Sequence, residues 1–379
     1  MLEIFLIIYI IIYIIIKSQE EINIFMNLGI ICEFNPLHNG HKYLINSVKE
    51  DNNGIICAMS GNFVQRGEFA VFDKFERAKS AIDAGADLVI EIPTLCSTLS
   101  AQGFAKAGVD LLEATGICDA LAFGAECSDT DELKRVASLI KEKDKFIKQE
   151  LAKGFSYPKA RQNVINSPIL EGANNILAIE YISQTKLDFK AIQRIGAGHD
   201  SEDASYSSSE IRKHLDSDEI SSMKNCEKAV LYKLRTMKED DFLRIDDVSE
   251  GLENRIISAV KEARSLEELY DLIKTKRYTH SRIRRIILRA YLGITNDMPK
   301  SPQYLRILAF NEKGRDMLSK MKKSAELPVI SKYSDAKSSG EIIQKLFEQE
   351  SKFTDIYNLG YKIPRQSEEE KTKQIYIKY

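Results

Sequence analysis

"LGIICEFNPLHNGHKYLI", Leu28 to Ile45, changes character halfway along. LGIIC is an apolar run with no polar face, the mark of a strand buried on both sides. After the Asn39–Gly40 pair the apolar residues return at helical spacing. Between the two lies a short polar loop with His38 and His41 around Gly40. Strand, loop, helix is the order that puts a loop at the carboxyl edge of a parallel sheet, where ligands bind. Gly40 takes away the side chain that would hold a ligand off the backbone. The two imidazoles can direct N–H groups at one anion, beside the free amides of a helix start. Such a site suits a triphosphate, whose charge grows on the leaving pyrophosphate during attack at the α-phosphorus.

Outward from this stretch the alternation continues. GIICAMSG, ADLVIEIP, CDALAFGAE and LDFKAIQRIG read as further strands. DKFERAKSAIDAG, SAQGFAKAGVDLLEATG, the charged DELKRVASLIKEKDKFIKQELAKG and ANNILAIEYISQT read as helices between or beside them. Apolar strands separated by amphipathic helices predict an α/β fold with a parallel sheet covered on both faces. Beyond about residue 215 the strand pattern fades. SEGLENRIISAVKEARSLEELYDLIKTKR, THSRIRRIILRAYLGI, QYLRILAFNEKGRDMLSKMKK and SSGEIIQKLFEQESKFTDIYNLGYK all read as amphipathic helices. The division is therefore a leader at 1–25, an α/β domain at 26–215 and a mainly helical domain at 216–379.

The chain has 379 residues and a formal charge of −2, so any nucleic-acid surface must be a local patch. Its six cysteines include no CxxC pair, which argues against zinc and disulfides. That is the usage of a reducing compartment and predicts a cytoplasmic protein. The leader carries the apolar run IFLIIYIIIYIII, Ile4 to Ile16. It is short for a membrane span and has no basic residue before it. It reads as an extension upstream of a start at Met26, with a short anchor as the alternative; no membrane partner is expected from the rest.

A second motif, YSSSEIR, Tyr206 to Arg212, follows some way on. By itself SSSEIR is an ordinary helix cap with a capping glutamate. Together NPLHNGH and SSSEIR resemble the HxGH and ISSTxIR signatures of the nucleotidyltransferase superfamily, whose histidines act on phosphates. The resemblance narrows. AMSGNFVQRGEFAVFDKFERAKSAIDAGADLVIEIP, LAFGAE, ANNILAIEYI, RIGAGHD, EGLENRI, KRYTHSRIRRIILRAYLGI and PQYLRILAFNEKGR are similar to the tRNA(Met) cytidine acetate ligase family. It covers nearly everything from Leu28 to Lys362 but not the leader.

That resemblance implies a HIGH-superfamily, Rossmann-like catalytic domain followed by a helical one. It implies a ligase that activates acetate with ATP as acetyl-adenylate and acetylates the wobble cytidine of elongator tRNA(Met). His38 and His41 would be catalytic. The ATP site carried over by position is Ile31, Cys32, Glu33, Phe34, Asn35, Pro36, Leu37, His38, Asn39, Gly40, His41, Lys42, Tyr43 and Leu44. Gly124, Asn174 or Asn175, and Arg194 join it, with Ser208, Ser209 and Arg212 on the pyrophosphate end. Magnesium is expected to accompany ATP, with no evident protein ligand. Tyr206 and the alanine that opens ALAFG depart mildly from the family pattern.

Other residues allow bland readings. Glu33 and Asn35 either touch the nucleotide or cap the loop. Arg66 and Gly67 lie in a polar loop after the second strand, at the same sheet edge. His199 and Asp200 could shape that edge. The densest basic cluster, Lys274 to Arg285, contains Lys274, Lys276, Arg277, Arg282, Arg284 and Arg285 with Tyr278 among them. Basic side chains with an interleaved ring suit RNA contact, against the alternative of a solvated helix face. Two rival functions remain: a small-molecule nucleotidyltransferase of cofactor synthesis, which the basic helical half disfavours, and a non-catalytic RNA-binding protein, which intact HNGH and SSSEIR disfavour.

Overall fold

The computed structural model describes residues 26–51, 53–194, 208–249 and 251–379. The leader, His199, Asp200 and Tyr206 lie outside them. No helix among the described residues is long and apolar enough to cross a membrane.

The strands are β1 (Asn27–Cys32), β2 (Gly54–Ser60), β3 (Phe63–Val64), β4 (Glu68–Phe69) and β5 (Leu88–Ile92). They continue with β6 (Ala120–Ala125), β7 (Asp188–Gln193), β8 (Leu305–Phe310), β9 (Val329–Ile330) and β10 (Tyr376–Ile377). The main sheet runs β10-β8-β5-β2-β1-β6-β7, with β9 beside β8. β1 pairs parallel with β2 and β6, β2 with β5, and β6 with β7. The chain builds outward from β1 through β2 to β5, then returns to the other side of β1 for β6. That reversal makes the β1–β6 boundary the topological switch point, where a crevice opens at the carboxyl ends. Helices Asn39–Val48, Lys74–Asp83, Ala101–Glu113 and Ala173–Gln184 cover the faces. One core holds Ile31, Ile90, Phe104, Leu121 and Phe123, and a second holds Ile30, Ile45, Cys57 and Val89. Alternate residues of β1 thus face opposite cores, which is why LGIIC has no polar face.

Arg77 ties the sheet edge together. It is 1% exposed, and its guanidinium donates to the carbonyls of Glu33 (2.6 Å), Ser60 (3.1 Å) and Phe72 (3.0 Å), and to that of Gly61. One side chain so satisfies backbone acceptors at the ends of both β1 and β2, groups that would be costly to bury unpaired.

The second half is mainly helical, with a core of Val230, Leu234, Ile256, Leu269, Ile286 and Leu288 that also takes in Phe63, Phe69 and Leu95 of the first half. One expectation needs correction. QYLRILAF is not helical: Leu305–Phe310 is a strand, fully buried, antiparallel to β5. Its six residues carry apolar groups on both faces, so burial in a sheet satisfies it better than an amphipathic helix. The helix begins only at Glu312, capped by the Asn311 side chain on Gly314 N–H. The second half therefore returns to complete the sheet of the first.

Candidate active site

At the switch point a cavity of about 320 Å³ opens above β1 and β6. Ile31, Cys32, Glu33, Phe34, Asn35, His38, Gly40, His41, Tyr43 and Leu44 line it from the first motif. Gly124, Asn174, Arg194, Ser208, Ser209 and Arg212 line it from elsewhere. Pro36, Leu37, Asn39, Lys42 and Asn175, also expected at the site, are not on its wall.

The two histidines are locked against each other. His38 is the N-cap of the Asn39–Val48 helix; its Nδ1 accepts from Gly40 N–H at 3.0 Å, and His41 Nδ1 accepts from His38 N–H at 3.3 Å. Gly40's amide is therefore engaged rather than free for an anion. The imidazoles stack with centroids 3.8 Å apart, and Phe34 meets His41 edge-on at 5.0 Å. Because both Nδ1 atoms act as acceptors, both rings are neutral tautomers carrying hydrogen on Nε2. Burial and Arg194 lower the His38 pKa. Burial, then His38 and Arg194, push that of His41 down to about 3. Gly40 has a second reason to be glycine: a Cβ there would lie 2.8 Å from His38 Cε1 and dislodge the ring.

The second motif docks directly on the first. Helix Ser208–His214 places Arg212 so that Nη1 donates to the Asn35 carbonyl (2.7 Å) and Nη2 to Ser209 Oγ (3.0 Å). Ser208 Oγ donates to the Pro36 carbonyl at 3.1 Å. Asn35 in turn accepts from Val71 N–H at 2.8 Å. So Asn35 braces the loop.

The Asn174–Asn175 pair divides its work. Asn175 is buried and accepts from Cys127 N–H at 2.9 Å, a structural role. Asn174 lines the cavity, with its Oδ1 accepting from Arg194 at 3.1 Å. Both are held by Glu126, whose carboxylate accepts from Asn174 Nδ2 (2.7 Å) and Asn175 N–H (2.7 Å). Burial would raise the Glu126 pKa, but the Asn174 and Asn175 donors outweigh it and hold it low. An added Cβ at Gly124 would meet only Arg194 Cγ, at 3.5 Å, so its hydrogen leaves floor space. Glu126 escaped the sequence reading; its only sign there was an acid at the end of LAFGAE.

Glu33 faces the cavity, and its Oε1 accepts from Gln65 N–H at 2.7 Å. Burial raises its pKa against the pull of that amide and of Arg77. This bond draws the β3–β4 hairpin over the site, bringing Gln65, Arg66 and Glu68 to its wall. Among the described residues no cluster of three or more His, Cys, Asp or Glu side chains is placed to hold a metal ion.

The basic cluster is not remote from this cavity, although every phosphate motif precedes it in sequence. The helix His280–Leu292 packs on the hairpin so closely that a Cβ on Gly67 would lie 2.4 Å from Arg285 N. Arg284 pairs with Glu68. Arg285 is 7% exposed and contacts Asp247 at 3.3 Å. Arg282 donates to the Asp247 carbonyl and Ser249, with Tyr278 under its guanidinium at 5.2 Å. Lys274 donates to the Thr275 carbonyl at 2.8 Å, and Lys276 is exposed. Arg277 lines a second cavity.

The family model described as HIGH Nucleotidyl Transferase matches residues 26–229 and 217–373. A tRNA(Met) cytidine acetate ligase of Acetivibrio thermocellus is 36% identical, covering 92% of this chain and 99% of its own. One from a Thermoanaerobacter species is 38% identical, covering 88% and 95%. The crystal structure of Thermotoga maritima TmcAL bound with alpha-thio ATP superposes with a TM-score of 0.82 at 32% identity, covering 93% of this chain and 100% of that one. Its apo form gives 0.82 at 31% identity, covering 93% and 99%.

Proposed function

The chain belongs to the tRNA(Met) cytidine acetate ligase family of HIGH nucleotidyl transferases, and from that premise we propose how its own residues divide the reaction. It is an ATP-dependent ligase that acetylates a tRNA(Met) cytidine. ATP lies in the 320 Å³ cavity at the switch point. The Nε2–H groups of His38 and His41 donate to phosphate oxygens on one side. Ser208, Ser209, Arg212 and Arg194 hold the pyrophosphate end on the other.

In the first step an acetate oxygen forms a bond to the α-phosphorus and the bond to pyrophosphate breaks. In the second, the cytidine N4 lone pair attacks the acetyl carbon, the bond to the phosphate oxygen breaks, AMP departs and N4 releases one proton. The observation that carries this reading is the Nδ1 locking of both histidines. Fixed neutral donors, aimed where charge develops, need no reorganisation during reaction. The donors present do not fit a protein-held magnesium, so any magnesium rides on the ATP phosphates and no step is assigned to it.

For RNA, Arg277, Arg282 and Arg284 form the proposed cationic wall, flanked by Lys274 and Lys276. Arg285, buried on Asp247, anchors the wall rather than facing phosphate. The enzyme acts in the cytoplasm on elongator tRNA(Met). Exchange of labelled pyrophosphate into ATP, measured without RNA, tests the first step. It should require acetate and fall with His41→Ala. Exchange that ignores acetate, or that needs another acceptor, would return the chain to small-molecule nucleotidyl transfer.

A further inference from the structure

A second cavity, about 750 Å³, adjoins the first and shares Gln65, Arg66, Ala173 and Leu177 with it. One wall is cationic: Arg277, Arg282 and Arg284. The other is aromatic: Phe155 and Tyr157, left 39% and 40% exposed. A positive wall facing bare aromatic rings is the chemistry that holds unpaired nucleic-acid bases.

Deeper in, Arg161 makes the chemistry more specific. It is 3% exposed and lines this cavity. Its Nη1 pairs with Glu180, but its Nε and Nη2 find no acceptor. Two unmet N–H groups on a buried guanidinium are costly, and they form one flat donor edge. The Tyr157 ring covers the guanidinium at 5.2 Å. Tyr157 is the first residue of the helix Tyr157–Ile165, so its exposed ring is placed to turn without unpacking a core.

We propose that this second cavity receives the acceptor base of the RNA as an unpaired pyrimidine. Tyr157 swings off Arg161 and stacks, with Phe155, against the base. The O2 and N3 acceptors of cytosine meet the Nε–H and Nη2–H edge of Arg161. Arg277 and Arg282 take the flanking phosphates. The amine N4, next to N3 at the far end of the same base edge, then points past Arg66 toward the activated acyl group in the first cavity. The inference deepens the ligase reading and rests on it.

The test uses the full chain and separates the half-reactions. Tyr157→Ala should leave acetate-dependent pyrophosphate exchange unchanged while kcat/KM for tRNA acetylation falls about 10- to 100-fold, the range for losing one stacked base. Tyr157→Phe should restore it. Arg161→Lys keeps a cation for Glu180 but loses the flat donor edge, and should likewise reduce only acetylation. A fluorescent cytidine analogue at the acceptor position should be quenched on binding to the native chain and to Tyr157→Phe, but not to Tyr157→Ala. Tyr157→Ala with native melting, native quenching and native acetylation would overturn the cleft assignment alone. Absence of exchange in the native chain would instead bring down the nucleotide reading, and this inference with it.

Discussion

His41 shows how much a single ring can carry. Its Nδ1 holds the loop through the His38 amide, its face stacks on His38 and its edge meets Phe34, which leaves Nε2–H for the proposed phosphate contact. Burial lowers its pKa to about 3 from an ordinary 6.5. The sign follows from proton counts: between those values the unfolded chain binds a proton that the folded one refuses. The histidine's contribution to stability is therefore complete above about 6.5 and is lost as pH falls toward 3. Heteronuclear NMR of the free chain should find His41 untitrated through pH 5, with ATP moving its midpoint upward as phosphate favours the cation. An ordinary midpoint without ATP would contradict the packing described. His41→Ala should reduce pyrophosphate exchange by roughly 10²–10³. Its melting temperature should fall as well at neutral pH, because the bond to the His38 amide and the stack on His38 are lost with the ring.

The HNGH residues were legible because sequence neighbours supply both rings and the glycine between them. Glu126, Arg77 and Gln65 were not, since each acts on residues that only the fold brings near. Likewise nothing local separates Asn174 from Asn175; the carbonyl that Arg194 reaches and the amide of Cys127 decide it.

Among elements, the β3–β4 hairpin is the joint between the two cavities. Glu33 draws it over the first cavity from one side, and helix His280–Leu292 presses on it from the other. Gly67 makes this possible with φ of +77° and no side chain against the Arg284–Arg285 backbone. Gly67→Ala combines a left-handed conformation with a backbone clash, and should cost roughly 1–3 kcal/mol or more in a denaturant titration. Exchange and acetylation should fall together, because both cavities share this hairpin. An unchanged melt would show that helix and hairpin do not meet as described. The same contact disqualifies replacing Arg282, Arg284 and Arg285 together as a clean test of RNA binding, since Arg284 and Arg285 hold Glu68 and Asp247. Helices were legible from their periodicity, and β1, β2, β5 and β6 from the continuous apolar runs between them. β8 was hidden because its apolar run leads straight into a helix, and periodicity over six residues does not separate the two.

Across the whole molecule, the carboxyl-terminal segment straps the halves together through buried charge. Lys74 contacts Glu91 at 2.7 Å and Glu370 at 2.6 Å, and Arg306 reaches Glu370 at 3.1 Å. Glu350, buried beside them, accepts from Thr94 N–H at 3.1 Å. Three carboxyls face two cations, and burial, against the pull of Lys74, pushes Glu91 up to about 8. Here the sign opposes that of His41. Between about 4.5 and 8 the folded chain keeps a proton that the unfolded chain has lost, so this group's contribution falls as pH rises. Glu91→Gln, an isostere of the protonated acid, should flatten that slope and match the native chain near pH 5. A slope unchanged by the substitution would place the proton elsewhere.

The proposed activation of acetate on the α-phosphorus of ATP in the His38–His41 cavity is tested by acetate labelled with heavy oxygen in its carboxylate, with the AMP formed during tRNA acetylation read by mass spectrometry. Attack by the carboxylate leaves one of its oxygens on the phosphorus, so AMP should carry one heavy oxygen for each acetylcytidine made. Unlabelled AMP, with the heavy oxygen in inorganic phosphate or water, would contradict it.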